Sequence, residues 1–364
     1  ANRPPHHATA TDEARRDDQI LDERCLNWLL ERQHAESHPV TEIGAGGWSW
    51  GDSPGALPNT STTAAVLLAL AHWRRRFAQL HVERIDRAAD LAVAGLLDLQ
   101  NEDSGWPTLY RDGSSYQFDS SASDTTALVL RALVAWRRLR QAEASKGDRV
   151  ARVADSWSPS LQSSFNTRIE SALDRGVRYL ESQQRDDGSF IPLWFGNEHH
   201  PSGSNPVYGT VQVLLLCADL ARLDTDMALQ AARWLMSAQH SAGGWGPPRA
   251  PVDYSNAEKD GFRAWRANES LAKYSSVEET AMAVGALFPL AATNHSAARA
   301  VSSGLSWLAA SVEQDAHRQG AVIGFYPGRL WYHERLYPLV FAAGALSLAV
   351  RQLEPQHQTA VHLS

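Results

Sequence analysis

A glycine step followed closely by an aromatic residue recurs five times along this chain, each time between two stretches of helical periodicity. The steps end at Trp48, Trp106, Phe190, Trp245 and Phe325, which lie 58, 84, 55 and 80 residues apart. A repeating unit of this kind cannot bury its own apolar face, so it must stack on copies of itself, and that limits the available folds sharply. Before each turn runs a first helix that closes near a glutamine in four of the five units. These helices end at Gln33, at Leu96-Leu97-Asp98-Leu99-Gln100, at Gln183-Gln184, at Ser237-Ala238-Gln239 and at Ala309-Ala310-Ser311. After each turn a second helix opens. The openings are Thr62-Thr63-Ala64, Asp124-Thr125-Thr126-Ala127, Tyr208-Gly209-Thr210, Glu278-Glu279-Thr280-Ala281 and the stretch from about Leu336. Glycine supplies the backbone that ends one helix, and Ser, Thr or Asp caps the next.

The second helices, such as 64–70, 211–216 and 281–287, are apolar on more than one face, so they are buried on most sides. The first helices are amphipathic. An inner ring of apolar helices inside an outer ring of amphipathic ones predicts an all-α fold, an (α/α)6-type barrel, or toroid, of helical hairpins. No stretch alternates long enough to predict a strand. The reading divides the chain into a disordered tail over 1–15, one barrel domain over 16–354 and a C-terminal tail over 355–364. Two long polar stretches, 142–164 and 247–275, read as loops.

Composition excludes several function classes. The net charge of −7 argues against a nucleic-acid partner, which would need a basic face. Cys25 and Cys217 are too few for a disulfide framework, and a reducing compartment follows. The N-terminal stretch, with His6 and His7, has no apolar core of the signal-peptide kind, and no apolar run reaches the length that spans a bilayer. The expected location is cytoplasmic, with peripheral membrane contact if the ligand is apolar. No metal or cofactor is expected: there is no His-x-x-x-His or Glu-x-x-His on a predicted helix and no phosphate-cradling glycine loop.

The thirteen tryptophans need a reason. From about Leu21 to Gln352 the five turns resemble the Gln/Trp repeats of squalene–hopene cyclases and their triterpene-cyclase relatives. The resemblance is carried by Gly188-Ser189-Phe190 with Trp194 and Asn205-Pro206-Val207-Tyr208-Gly209-Thr210, by Gly243-Gly244-Trp245-Gly246, and by Tyr326-Pro327 through Leu336-Tyr337-Pro338. It covers only the C-terminal barrel of that two-barrel family, so a second barrel or a catalytic subunit acting in trans is an expected partner. The resemblance implies that the Gln and Trp of each repeat tie outer helices together. It implies that Trp50, Tyr110, Trp194, Phe195, Tyr208, Phe325, Trp331 and Tyr332 line a cavity for an isoprenoid. Aromatic faces there would stabilise carbocations by roughly 0.5–2 kcal/mol per ring, although each ring could equally be core.

The family protonates an alkene with an Asp of an Asp-x-Asp-Asp motif just before a Thr-Ala helix start. An isolated double bond is a very weak base, so this needs a dry carboxylic acid. Ten residues after Trp48 stands Pro58, and the next four positions, where the motif belongs, read Asn59-Thr60-Ser61-Thr62. Amides and hydroxyls are not acids of that strength. The family's partner His, four residues after the Asp matching Asp124, is Leu128 here. Three readings follow. The chain is a divergent terpenoid cyclase or isomerase, acting on a squalene-like chain or a prenyl diphosphate, with a relocated acid: Asp124, Glu278 or Glu279. Asp124-Thr125-Thr126 resembles the end of a variant acid motif whose first Asp is Ala122 here, and all three carboxylates could instead be helix caps. Alternatively it binds an isoprenoid without turning it over, or serves a catalytic partner. Thirdly, Glu198, His199, His200, His333 or Glu334 does other acid–base chemistry.

Overall fold

The computed structural model describes residues 22–37, 44–51, 53, 55–76, 81–109, 120–145, 159–247, 275–325 and 328–360. Residues 22–31 are helical and are here α1. They are followed by α2 (Thr60–Arg76), α3 (Val82–Asp98), α4 (Ser123–Ser145), α5 (Pro159–Gln183), α6 (Pro206–Asp219), α7 (Asp226–Ser237), α8 (Val277–Leu287), α9 (His295–Glu313) and α10 (Leu336–Ala360). This is the all-α succession of hairpins that the repeat predicts. The chain forms two compact units, one from Ala1–Gln100, Leu109–Ser120 and Ala132–Leu173, the other from Asn101–Thr108, Ser121–Arg131 and Asp174–Ser364.

The same joint is built in both units. In the first, the turn N–H of Trp48 donates to Thr63 Oγ1 at 3.0 Å. In the second, Trp106 N donates to Thr126 Oγ1 at 2.9 Å, Phe190 N to Thr210 Oγ1 at 3.0 Å, and Trp245 N to Thr280 Oγ1 at 2.9 Å. The recurring Thr-Ala step is therefore a latch between the turn and the second helix. The glutamines close the other side. Gln33 Nε2 donates to Gly46 O at 2.9 Å and to Ala88 O of α3 at 2.7 Å. Gln184 donates to Gly188 O and Met227 O, both at 3.0 Å, and Gln239 to Gly243 O at 2.8 Å and Ala300 O at 2.9 Å. One amide thus satisfies a turn carbonyl and a carbonyl of the next outer helix. The turn glycine must have no side chain: at Gly188 and Gly243, with φ of +90° and +100°, a Cβ would stand 2.6 Å from the carbonyl oxygens of Gln230 and Ser303.

In the first unit α2 packs on α3, and Leu67, Leu70, Ile85, Leu96, Leu133 and Trp136 are buried. Arg74, 6% exposed, meets Asp86 at 2.8 Å and Glu143 at 2.7 Å, and Arg140 meets Asp86 at 2.9 Å. A buried guanidinium with two carboxylate partners is compensated, as burial of charge demands. In the second unit α8 packs against α6, α9 and α10, over a core holding Trp106, Phe190 and Trp245 with no solvent exposure.

Four features depart from the sequence reading. Helix α2 begins at Thr60, ahead of the expected opening at Thr62-Thr63-Ala64, because the Asn59 side chain accepts from Thr62 N at 2.9 Å and caps it. The polar stretch 142–164 is not all loop: α4 runs to Ser145, α5 starts at Pro159, and 146–158 lie outside the described residues. Likewise α10 continues to Ala360, beyond the boundary expected at 354. Finally, a three-stranded antiparallel sheet is present: β1 (Phe195–Asn197), β2 (Val322–Phe325) and β3 (Leu330–His333), in the order β1-β2-β3. Strands of three or four residues are too short to show a period of two. The fifth glycine–aromatic step is therefore not a helix-ending turn like the others: Gly324-Phe325 lies inside β2, paired with Trp331 and Leu330. The N-terminal tail, Tyr110 and most of 247–275 lie outside the described residues.

The joint makes a direct prediction. Gln239→Ala should destabilise by about 1–3 kcal/mol, because two carbonyls lose their donor. Gly243→Ala should cost at least as much, since left-handed backbone and a clash add together. Urea midpoints at an unchanged m-value are the measurement.

Candidate functional site

The positions where the family keeps its acid form a helix start in the first unit. Asn59, 6% exposed, accepts from Thr62 N at 2.9 Å and from Ser61 Oγ at 3.1 Å. Thr60 Oγ1 donates to Leu109 O at 3.0 Å. Asn59 and Ser61 serve the N-terminus of α2, Thr60 ties it to Leu109, and none of these groups carries an acidic proton. Trp50 belongs to the same unit and is 63% exposed.

The three carboxyl groups that the sequence offers as substitute acids are in the second unit, at two helix N-termini. Asp124 is the second residue of α4 and 7% exposed. Burial pushes its proton affinity up, to about 6, against the opposing pull of the backbone N–H groups of Asp124, Thr125 and Leu193. Its Oδ1 has no hydrogen-bond partner among the described residues. This combination keeps a proton on the group up to about pH 6, well above the ordinary carboxylate range, and leaves one oxygen facing no described donor. The helix start and its N–H groups would meanwhile stabilise the carboxylate that proton loss leaves behind.

Glu278 and Glu279 open α8 behind the cap residue Ser276. Glu279 is raised to about 7, by burial first; bonds from Ser276 and Asn197 lower it and the neighbouring Glu278 raises it. Both of its oxygens have partners. Asn197 Nδ2 donates to Oε1 at 3.1 Å and Oε2 at 3.2 Å, and Ser276 Oγ donates to Oε2 at 2.8 Å. The Asn205 amide also acts on this carboxyl, but from outside hydrogen-bond geometry. Glu278 is raised by burial, accepts Ala321 N through Oε1 at 2.7 Å, and has no partner at Oε2.

Aromatic rings gather on the segment that runs between these two helix starts. Phe195 stacks on Tyr208 with centroids 4.1 Å apart, and Trp194 meets Phe325 edge-on at 6.3 Å. Tyr208 is pushed up by burial first and then by the Asp124 charge, which places its hydroxyl in that carboxyl's field. Strand pairing sets Trp331 opposite Gly324 and Tyr332 opposite Ile323, with Tyr332 37% exposed. The structure thus brings Asp124, Trp194, Phe195, Tyr208 and Phe325 into one unit, together with the strand that carries Trp331 and Tyr332.

The histidines form a more solvent-facing set. His200 is lowered to about 4 by burial, and its Nδ1 meets Ser202 Oγ at 2.9 Å. It is neutral at physiological pH. His333 Nδ1 meets Gly320 O at 2.9 Å, and His333 exerts its charge on both Glu278 and His199. No group of His, Cys, Asp or Glu among the described residues is arranged to hold a metal ion. No described helix is long and apolar enough to cross a membrane.

Asn197 and Asn205 are site residues that the sequence reading passed over. A partial signal was present, since Ser276-Val277-Glu278-Glu279 spells the Ser-x-x-Glu of a capping box. The partner in β1 could not be read from spacing.

An all-α fold of helical-hairpin repeats, with carboxyl groups at inner helix starts and aromatic rings between them, is the class of the terpene cyclases. The comparisons agree: residues 6–351 match the model of the squalene-hopene cyclase C-terminal domain, and the chain belongs to that family. It is 27% identical over 295 residues to a squalene–hopene cyclase of Bradyrhizobium diazoefficiens, covering 79% of this chain and 38% of that one. It is 26% identical over 355 residues to a squalene–hopene cyclase of Zymomonas mobilis, covering 93% and 46%. The chain therefore spans less than half the length of these curated relatives. Among solved structures, cellobiose 2-epimerase from Spirochaeta thermophila matches with a TM-score of 0.51 at 13% identity, over 94% of this chain and 87% of that one. That likeness concerns the fold alone.

The raised Asp124 has a consequence for stability. The unfolded chain loses this proton near pH 4, and the folded chain only near about 6. Its contribution is therefore full below pH 4 and is lost as pH rises through 6. Asp124→Asn should flatten that part of the stability profile and add about 2–3 kcal/mol at pH 8 relative to the parent. Thermal melts from pH 4 to 8 are the test, and a parallel shift of both proteins would contradict it.

Proposed function

We propose that this protein is a divergent terpenoid cyclase or isomerase, acting on a squalene-like chain or a prenyl diphosphate, with Asp124 in place of the lost acid motif. The observation that carries this reading is the Asp124 carboxyl. It is buried, holds its proton up to about pH 6, has one oxygen without a hydrogen-bond partner, and shares its surroundings with Tyr208.

The chemistry asks two things of such a group. It must be protonated before the reaction, which burial supplies. Its conjugate base must be stabilised afterwards, which the N–H groups of Thr125 and Leu193 and the start of α4 supply. The cation formed on the isoprenoid would then be met by the faces of Tyr208 and Phe195, with Trp194, Phe325, Trp331 and Tyr332 completing the wall. Asn59, Ser61 and Thr62 keep only the capping part of the ancestral motif. The reading extends to peripheral membrane contact and to a second helical barrel, in the same polypeptide or in trans. Family membership and relatives more than twice as long as the stretch matched support the second of these.

Incubation with squalene, oxidosqualene and linear prenyl diphosphates, followed by mass spectrometry, tests the reading. The parent should give a cyclic or isomerised product from one of them. Asp124→Asn should lower turnover by about 10³-fold or more while binding persists, and Asp124→Glu should keep part of it. If no substrate gives product yet one binds with micromolar affinity, the non-catalytic isoprenoid-binding function takes its place.

A further inference from the structure

The start of α8 is built for more than a helix cap. In an ordinary capping box the third-position Glu reaches back to the N–H of the cap residue. Here the N–H of Ser276 is already taken by Trp245 O at 2.9 Å, so the Glu279 carboxyl is released from that duty. It turns instead to β1, where Asn197, 2% exposed, donates to both of its oxygens at 3.1 and 3.2 Å. Asn197 is itself oriented, since its Oδ1 accepts His199 N at 2.9 Å. One residue earlier, Glu278 accepts the N–H of Ala321 at 2.7 Å, directly ahead of the first residue of β2. Two successive carboxyls of one helix end therefore grip two neighbouring strands, which are paired to each other from Phe195↔Phe325 to Asn197↔Ile323.

Those strands carry the rings of the proposed cavity wall. Phe195 lies on β1 and stacks on Tyr208, Phe325 lies on β2 and meets Trp194, and Trp331 and Tyr332 lie on β3. We propose that Glu279, together with Asn197 and Glu278, is a positioning unit that fixes this sheet against α8 and so sets the shape of the aromatic wall and the isoprenoid it admits. The proposal rests on the cyclase reading for what the wall binds, but not for the pin itself. Glu279 donates no proton in it, because its carboxyl is held by three hydrogen bonds to two other side chains.

An exchanged pair provides the test. In Glu279→Gln the amide meets the Asn197 amide, and one of two opposed N–H groups loses its acceptor. In the double variant Asn197→Asp with Glu279→Gln, the acceptor and donor change places. Asp can still accept His199 N, and Gln can still accept from Ser276. Near-UV circular dichroism reads the ordered Phe195–Tyr208 and Trp194–Phe325 pairs, and tryptophan fluorescence titration with geranylgeraniol reads the wall. Glu279→Gln should weaken the near-UV bands by about half, at an unchanged far-UV spectrum, and raise the Kd for geranylgeraniol about tenfold. The exchanged double variant should return both to within about twofold of the parent. If Glu279→Gln does not fold, recovery of a folded protein by the double variant supports the pin, and failure of both variants overturns it. Unchanged bands and Kd in Glu279→Gln overturn it too, as does a folded single variant that the exchange does not rescue. Loss of product formation with both signals intact would make Glu279 the acid and overturn this role. Asp124→Asn separates the two proposals: it should stop turnover and leave the near-UV bands alone, whatever Glu279 does.

Discussion

The structure depends on a single amide that serves two carbonyls. Gln184 and Gln239 each donate once to the turn that ends their own helix and once to the backbone of the next outer helix. Turn carbonyls left by a helix end need donors, and a buried one without a donor costs about 1–3 kcal/mol. Meeting that need with a side chain that also reaches the neighbouring hairpin joins repeat to repeat. The glycine that follows must be a glycine because the turn presses on the same neighbour: its missing Cβ would meet the carbonyls of Gln230 or Ser303. Threonine completes the joint by holding the turn aromatic to the second helix.

This joint explains how the chain can lose an acid motif without losing its fold. Helix α2 needs a cap at its start, and Asn59 supplies one as well as an aspartate would. Carboxylates at inner helix starts thus have a structural duty that amides and hydroxyls can take over, and a chemical one that they cannot. At α4 and α8 the carboxylates persist, and burial raises all three of them. They differ in what holds them. Glu279 is held by Asn197 and Ser276, whereas Asp124 has an oxygen without a partner among the described residues. Glu278 stands between them, with Oε1 held by Ala321 N and Oε2 without a described partner.

The short sheet adds a second layer to the site. It is carried by segments far apart in sequence, around 195 and around 325, which meet only because α6, α8 and α10 pack side by side. Its strands carry Phe195, Phe325, Trp331 and Tyr332, rings of the proposed wall. Gly324, inside β2, lies so close to the Leu330 carbonyl that no side chain fits there, so the last glycine of the repeat pattern has a strand's reason for its identity and not a turn's.

By itself, the sequence determined the hairpin order, the positions of the first four turns, the buried faces and the loss of acid at Asn59, Ser61 and Thr62. These are local properties, written in the period of 3.6 residues and in residues that only glycine, glutamine or threonine can replace. Helix limits were legible to within a few residues, as at α6 and α8, and less so where a cap such as Asn59 hid inside a motif read for its chemistry. The tertiary structure alone decided which carboxyls are buried, which of their oxygens have partners, and that β1, β2 and β3 exist. Those depend on contacts across 43 to 82 residues, such as Glu278 with Ala321 and Glu279 with Asn197. No local pattern encodes such a contact, because its energy comes from excluding water around groups that the chain itself keeps far apart.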